Sequence, residues 1–115
     1  MQQQGEVSIM KTPILDIARV VRSKNSGPFE LTMDIIFRDR EAYERVKAAQ
    51  AVNKAVVARA YAVPETAIRD VIYFDPAGAV KITMDRPLTS GEPGETDVYG
   101  AQQHAPLLSL VFDLP

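Results

Sequence analysis

Phe29-Glu30-Leu31-Thr32-Met33-Asp34-Ile35-Ile36-Phe37-Arg38 is the stretch that decides how this chain folds. Phe29, Leu31, Met33, Ile35 and Phe37 alternate with Glu30, Thr32, Asp34 and Arg38, and only Ile36 breaks the pattern. Successive side chains of a strand point to opposite faces, so a period of two predicts a half-buried strand with one apolar and one polar face. Such a strand needs paired neighbours, and a layer to cover its apolar side.

Working upstream, Ser23-Lys24-Asn25-Ser26-Gly27-Pro28 carries the composition of a loop. Before it lie Ile14, Leu15, Ile17, Ala18, Val20 and Val21, interrupted by Asp16 and Arg19. The spacing of three suits a short helix and the Val/Ile content suits a strand; we read a strand near 17–22. Residues 1–12 are polar and Gln-rich and are expected to fray, with an ordered domain over 13–115.

Downstream, Asp39 is a natural N-cap for a helix over about 40–50, and Asn53 for a second over 54–61. Pro64 opens one more short turn over 64–67. Ile68 to Phe74 reads as a strand stopped by Asp75-Pro76, and Ala79 to Met84 as another. The link Asp75-Pro76-Ala77-Gly78 predicts a hairpin, with a short helix begun at Pro76 as the alternative. Tyr73 and Phe74 are read as core, and the run Arg38, Asp39, Arg40, Glu41, Glu44, Arg45 as a solvated helix face. Residues 85–98 hold two prolines and two glycines and read as a long loop. Leu107, Leu108, Leu110, Val111, Phe112 and Leu114 read as a closing strand. Helices gathered between two groups of strands predict an α+β fold: an antiparallel or mixed sheet with helices packed on one face. This is related to the ferredoxin-like split βαβ theme without its regular order.

Composition narrows the function classes. A chain of 115 residues fits one domain, and 46% hydrophobic with 24% charged residues is ordinary for a globular one. A net charge of −2 lacks the basic footprint of a nucleic-acid binder. The absence of cysteine excludes disulfides, thiolate metal sites and cysteine nucleophiles, and fits a reducing cytoplasm. No apolar run approaches the ~18 residues of a membrane span, and the N-terminus lacks the pattern of a signal peptide. One histidine with scattered carboxylates gives no zinc or calcium spacing, and nothing calls for a cofactor.

Two polar segments stand out. Arg22, Ser23, Lys24 and Asn25 lead into a glycine, and such a loop can hold a carboxylate or phosphate by charge-assisted hydrogen bonds. The plain alternative is an ordinary polar hairpin loop. It is not a P-loop, because the Gly-x4-Gly-Lys-Ser/Thr pattern is absent. The other segment is Thr96-Asp97-Val98-Tyr99-Gly100-Ala101-Gln102-Gln103-His104. His104 is the only histidine and so the natural acid/base candidate, with Asp97 placed to orient it. Tyr99, Gln102 and Gln103 add ligand-binding groups. The alternative is a capped turn in which the glutamines satisfy the backbone.

Residues 17–32, the run Val71-Ile72-Tyr73-Phe74-Asp75-Pro76-Ala77, and residues 96–108 from Thr96 to Leu108 resemble the bacterial family of uncharacterised proteins called DUF4387. The likeness spans about residues 14–112. More distantly, the chain is similar to the small ferredoxin-fold domain that ends AtuA-like acyclic terpene utilisation proteins. There an Arg-Ser-Gly-Asp-Lys-Gly loop follows the first strand; here Arg22-Ser23 and Gly27 match and the acidic residue does not. The resemblance implies a small subunit working with a larger AtuA-like partner in organic-acid or acyl-CoA catabolism, and it supplies no catalytic residues. On this reading Arg22 and Lys24 hold an anionic small molecule and Gln102, Gln103 and His104 orient it, in a site completed by the partner or by a second copy. The rivals are a stand-alone lyase or hydratase using His104, and a purely structural oligomerisation domain. A symmetric homo-oligomer is expected, since exposed sheet edges need covering.

Overall fold

The computed structural model describes residues 9–86 and 104–115. Its spine is the alternating stretch. Strand β3 (Glu30–Phe37) turns Leu31, Met33, Ile35 and Phe37 inward, all buried, and leaves Glu30, Thr32, Asp34 and Ile36 half-buried on the other side. It pairs with β2 (Ala18–Asn25) on one flank and β5 (Ala79–Asp85) on the other, and β4 (Ile68–Phe74) lies outside β5. All three pairings are antiparallel. Strand β1 (Met10–Pro13) and strand β6 (Val111–Leu114) form a separate antiparallel ribbon.

Between β3 and β4 the chain makes helices α2 (Arg40–Ala49) and α3 (Lys54–Tyr61). The Asp39 carboxylate accepts from Ala42 N at 2.8 Å, and the Asn53 side chain accepts from Val56 N at 2.9 Å, so each expected N-cap starts its helix. Antiparallel β3–β5 and β5–β4 pairings make β3 and β4 parallel, with β5 inserted between them. That is a split βαβ unit. Strand β2, which precedes the unit in sequence, takes the outer place beside β3. The fold is therefore α+β and ferredoxin-related in its sheet, with the strands entering in a different order.

One face of the sheet is covered and one is open. A single core joins Leu31, Met33, Ile35, Val80, Ile82 and Met84 of the sheet to Tyr43, Val46, Val57 and Ala58 of the helices, and to Leu107, Phe112 and Leu114 near the C-terminal end. Burying this many large apolar side chains, at about 1.5–3 kcal/mol each, is the main driving term.

Three sequence expectations change, and a fourth, the hairpin, is met with an added detail. Met10–Thr12 of the dozen residues expected to fray are paired with β6, and Lys11 meets Asp113 at 2.7 Å. The apolar block after Pro13 resolves into both elements it allowed: one helical turn, α1 (Ile14–Ile17), followed directly by β2. The hairpin at Asp75–Gly78 forms, its link wound into a 3-10 turn over Asp75–Ala77 and ended by Gly78 at a φ of 60°. The closing apolar run is a strand only from Val111; Ala105–Ser109 is a 3-10 turn, where Pro106 cannot donate to a ladder.

Candidate functional site

Strand β2 does not stop at Arg22. It runs through Asn25, pairing Ser23 with Met33 and Asn25 with Leu31, and the connecting turn is only about Ser26 to Phe29, closed by Ser26 N donating to Glu30 O at 2.8 Å. The polar composition pointed to a loop, but ladder bonds to β3 outweigh it. The consequence is chemical. Paired residues lie on the same face, so Val21, Ser23 and Asn25 share the covered face with Leu31, Met33 and Ile35, while Arg22 and Lys24 share the open face with Asp34 and Thr32. The four residues expected to form one binding loop are divided between two faces.

On the covered face, Ser23 is buried, and its Oγ lies 3.3 Å from Nδ1 of half-buried His104. The histidine tautomer sets which of the two donates. His104 is fixed by its position: its carbonyl accepts from Leu107 N at 2.8 Å, Leu107 is fully buried, and Leu110 O accepts from Ile14 N at 2.9 Å. The two polar segments, 81 positions apart in sequence, thus meet over the end of the sheet. Asp97, Tyr99, Gln102 and Gln103 lie outside the described residues.

Sequence reasoning missed Arg86. Its N donates to Phe29 O at 2.9 Å, which carries the β3–β5 ladder one step past Asp85. The alternation of β5, with Val80, Ile82 and Met84 inward, places residue 86 inward as well, and Arg86 is only 8% exposed. An arginine in the inward phase of a strand was the available signal, hidden because 85–98 read as one loop. Extending that alternation by the Phe29–Arg86 bond puts Arg86 on the covered face, at the end of the sheet nearest Asn25. Nε and Nη1 of Arg86 and Oδ1 of Asn25 are shielded from solvent. Ser23 touches His104, and Asn25 and Arg86 are further polar residues toward the same end of an otherwise apolar layer.

The open face is different. Arg22 and Lys81 flank Asp34, with Arg22 Nε 3.0 Å and Lys81 Nζ 3.5 Å from its carboxylate. With Lys24, Thr32 and Thr83 they line a shallow groove of about 380 Å³. Phe74, expected in the core, is on this face and exposed, whereas Tyr73 points inward and exchanges hydrogen bonds with Val52.

A third cluster holds the β4–β5 turn. Asp75 accepts a hydrogen bond from Tyr43 Oη and, at 2.9 Å, one from Lys47 Nζ. The Tyr43 bond, followed by that from Lys47, holds the Asp75 carboxyl below its usual range. Burial, reinforced by the Asp75 bond, pushes the Tyr43 hydroxyl up to about 12. Arg40 lies 5.1 Å over the Tyr43 ring and bonds the Asp75 carbonyl at 2.7 Å. Asp75 was read as a turn residue and is one, with a helix-borne partner set that sequence spacing does not reveal.

Among the described residues no group of His, Asp or Glu is arranged to hold a metal, and no helix is long and apolar enough to cross a membrane. What fold and site define is a small α+β domain with a Ser23–His104 contact on its covered face, further polar residues toward one end of that face, and an open sheet surface opposite. The chain belongs to the DUF4387 family, a domain of unknown function whose family model matches residues 14–111. No curated protein and no solved structure matches it.

Proposed function

We propose that this chain is a small, non-autonomous binding subunit of the bacterial cytoplasm that holds an anionic small molecule. In this reading it works with a larger AtuA-like partner in organic-acid or acyl-CoA catabolism. The observation that carries the reading is the Ser23–His104 contact, which joins the two polar segments at one place. The binding groups change from the sequence expectation: Arg86 replaces Arg22 and Lys24 as the cation, because it shares the covered face with Ser23, Asn25 and His104. A guanidinium there offers planar, bidentate donors suited to a carboxylate or phosphate, and low solvent access strengthens each bond. The test is an NMR titration of the labelled chain, alone and with a co-expressed AtuA-like protein, against a panel of carboxylates and acyl-CoA compounds. Saturable shifts centred on Ser23, Asn25, Arg86 and His104, lost in Arg86→Gln, support the reading. No localised shift with any of them in either state ends it.

The same contact favours a second reading, a small lyase or hydratase in which His104 moves a proton. Replacing His104 with Gln should then abolish turnover with the fold intact, and unchanged turnover would remove this reading.

A further inference from the structure

The open face of the sheet carries a regular arrangement of charged and apolar side chains. Cross-strand register sorts its side chains into rows running β2, β3, β5, β4. The first row is Val20, Ile36, Ala79, Phe74; the next is Arg22, Asp34, Lys81, Ile72; the third is Lys24, Thr32, Thr83, Asp70. Ile72 is 51% exposed and Phe74 46%, so the apolar end of this face is open to water on the outermost strand.

We propose that the open face is the contact between two copies of this chain, packed sheet on sheet about a two-fold axis that runs along the strands between β3 and β5. That operation lays β2 over the partner's β4 and β3 over the partner's β5, and keeps each row level with itself. Opposed pairs then follow from the register alone. Lys24 meets Asp70 of the second copy, Asp34 meets Lys81, Thr32 meets Thr83, Val20 meets Phe74 and Ile36 meets Ala79. Each pair occurs twice, as an isologous interface requires. Arg22 meets Ile72, where the aliphatic stem of the arginine can cover the apolar side chain. Like charges meet only at one end, where Glu30 faces Asp85, and there Arg69 bonds Asp85 at 2.9 Å and offsets it.

A two-fold axis across the strands gives the opposite result. It sets Asp34 on Asp34, Lys81 on Lys81 and Arg22 on Arg22, and opposes Phe74 to Asp70. Charge therefore selects one of the two symmetric sandwiches. Lys24 and Asp70 point to a second copy in another way: both are exposed, and among the described residues neither belongs to an ion pair within the chain.

The size of the face sets the expected strength. Four strands spaced ~4.8 Å apart and seven residues at ~3.4 Å each give a footprint of about 450 Å² per copy, at the low end for a specific contact. The dimer should be reversible, with a dissociation constant in the micromolar range. This inference does not depend on the covered-face polar residues being a ligand site.

The experiment is sedimentation equilibrium of the full chain across a wide concentration range, on the wild type, Lys24→Asp, Asp70→Lys and the double exchange Lys24→Asp/Asp70→Lys. Each single change places like charges opposite one another twice. It should weaken association by about tenfold or more, and the double exchange should restore it. Circular dichroism of each variant separates loss of association from loss of fold. A wild-type chain that stays monomeric at every concentration overturns the proposal, including one that associates only with a larger protein. So does a dimer that both single variants leave unchanged, or one that the double exchange fails to restore.

Discussion

The covered and open faces of the sheet are made by the same four strands, one residue out of step. The covered face carries Leu31, Met33, Ile35, Val80, Ile82 and Met84, all buried, with Ser23, Asn25 and Arg86 as polar residues toward one end and the Tyr73 hydroxyl toward the other. The open face carries charge in its middle and apolar groups at its other end. The lesson is that polarity alone does not locate a site in a strand. Arg22 and Ser23 are neighbours in sequence, yet one faces water beside Asp34 and the other touches His104 beneath the sheet. The covered face supplies the core and carries polar groups toward one end; the open face leaves charged and apolar side chains exposed to water.

The contrast is broken most severely at Ile35. Truncating this fully buried side chain to alanine should cost about 2–5 kcal/mol, because the packed layer above it cannot collapse into the gap. Thr32→Ala on the open face should change stability by no more than about 0.5 kcal/mol. Urea denaturation of the two variants at equal, dilute protein concentration measures the difference. Comparable losses would mean that the open face is also packed within one chain.

Next in size is the Tyr43–Asp75 bond, which ties α2 to the β4–β5 turn at the margin of the covered face. Tyr43→Phe removes a hydrogen bond to a charged acceptor and keeps the buried ring, so a loss of about 1.5 kcal/mol is expected at neutral pH. The pH profile carries a sharper signature. Asp75 has a lowered folded-state pKa, so its contribution is complete above the ordinary carboxylate range and is lost as pH falls through the folded value. Tyr43 has a raised one, so its contribution is complete below about 10 and is lost as pH rises towards about 12. Asp75→Asn should flatten the acid limb of a stability–pH curve, and Tyr43→Phe the alkaline limb. Limbs unchanged in both variants would show that the bond is not formed in solution.

Much of this fold is legible in the sequence because local chemistry and tertiary structure agree. The β3 alternation, the Asp39 and Asn53 caps and the Asp75–Gly78 hairpin each rest on a short-range signal that packing then reinforces. Where the two disagree, packing wins. Ser23-Lys24-Asn25 has turn composition, yet seven register pairs with β3 hold β2 extended. Met10–Pro13 has no apolar period and is ordered only through β6, about a hundred residues away. The site was half legible. His104 and Ser23 were singled out, but their contact spans the whole chain and no spacing announces it. Arg86 was hidden because a buried charge is recognised only once the phase of its strand is extended by one more step.

The smallest expected effect is also the most direct test of the facing argument. Ser23→Ala removes a long, half-buried hydrogen bond and should cost about 0.5–1 kcal/mol. Arg22→Ala removes a surface ion pair to Asp34 whose loss is worth no more than that, and Lys81 still neutralises the carboxylate. Stability alone would not separate the two neighbours, but the single histidine does. Its imidazole resonances can be followed by NMR at one fixed pH. Ser23→Ala takes away the group touching Nδ1 and should move the imidazole chemical shifts of His104. Arg22→Ala acts on the opposite face and should leave them in place. If the two substitutions moved His104 alike, Ser23 and Arg22 would share one environment. Strand β2 would then end before Ser23, as its composition alone implies.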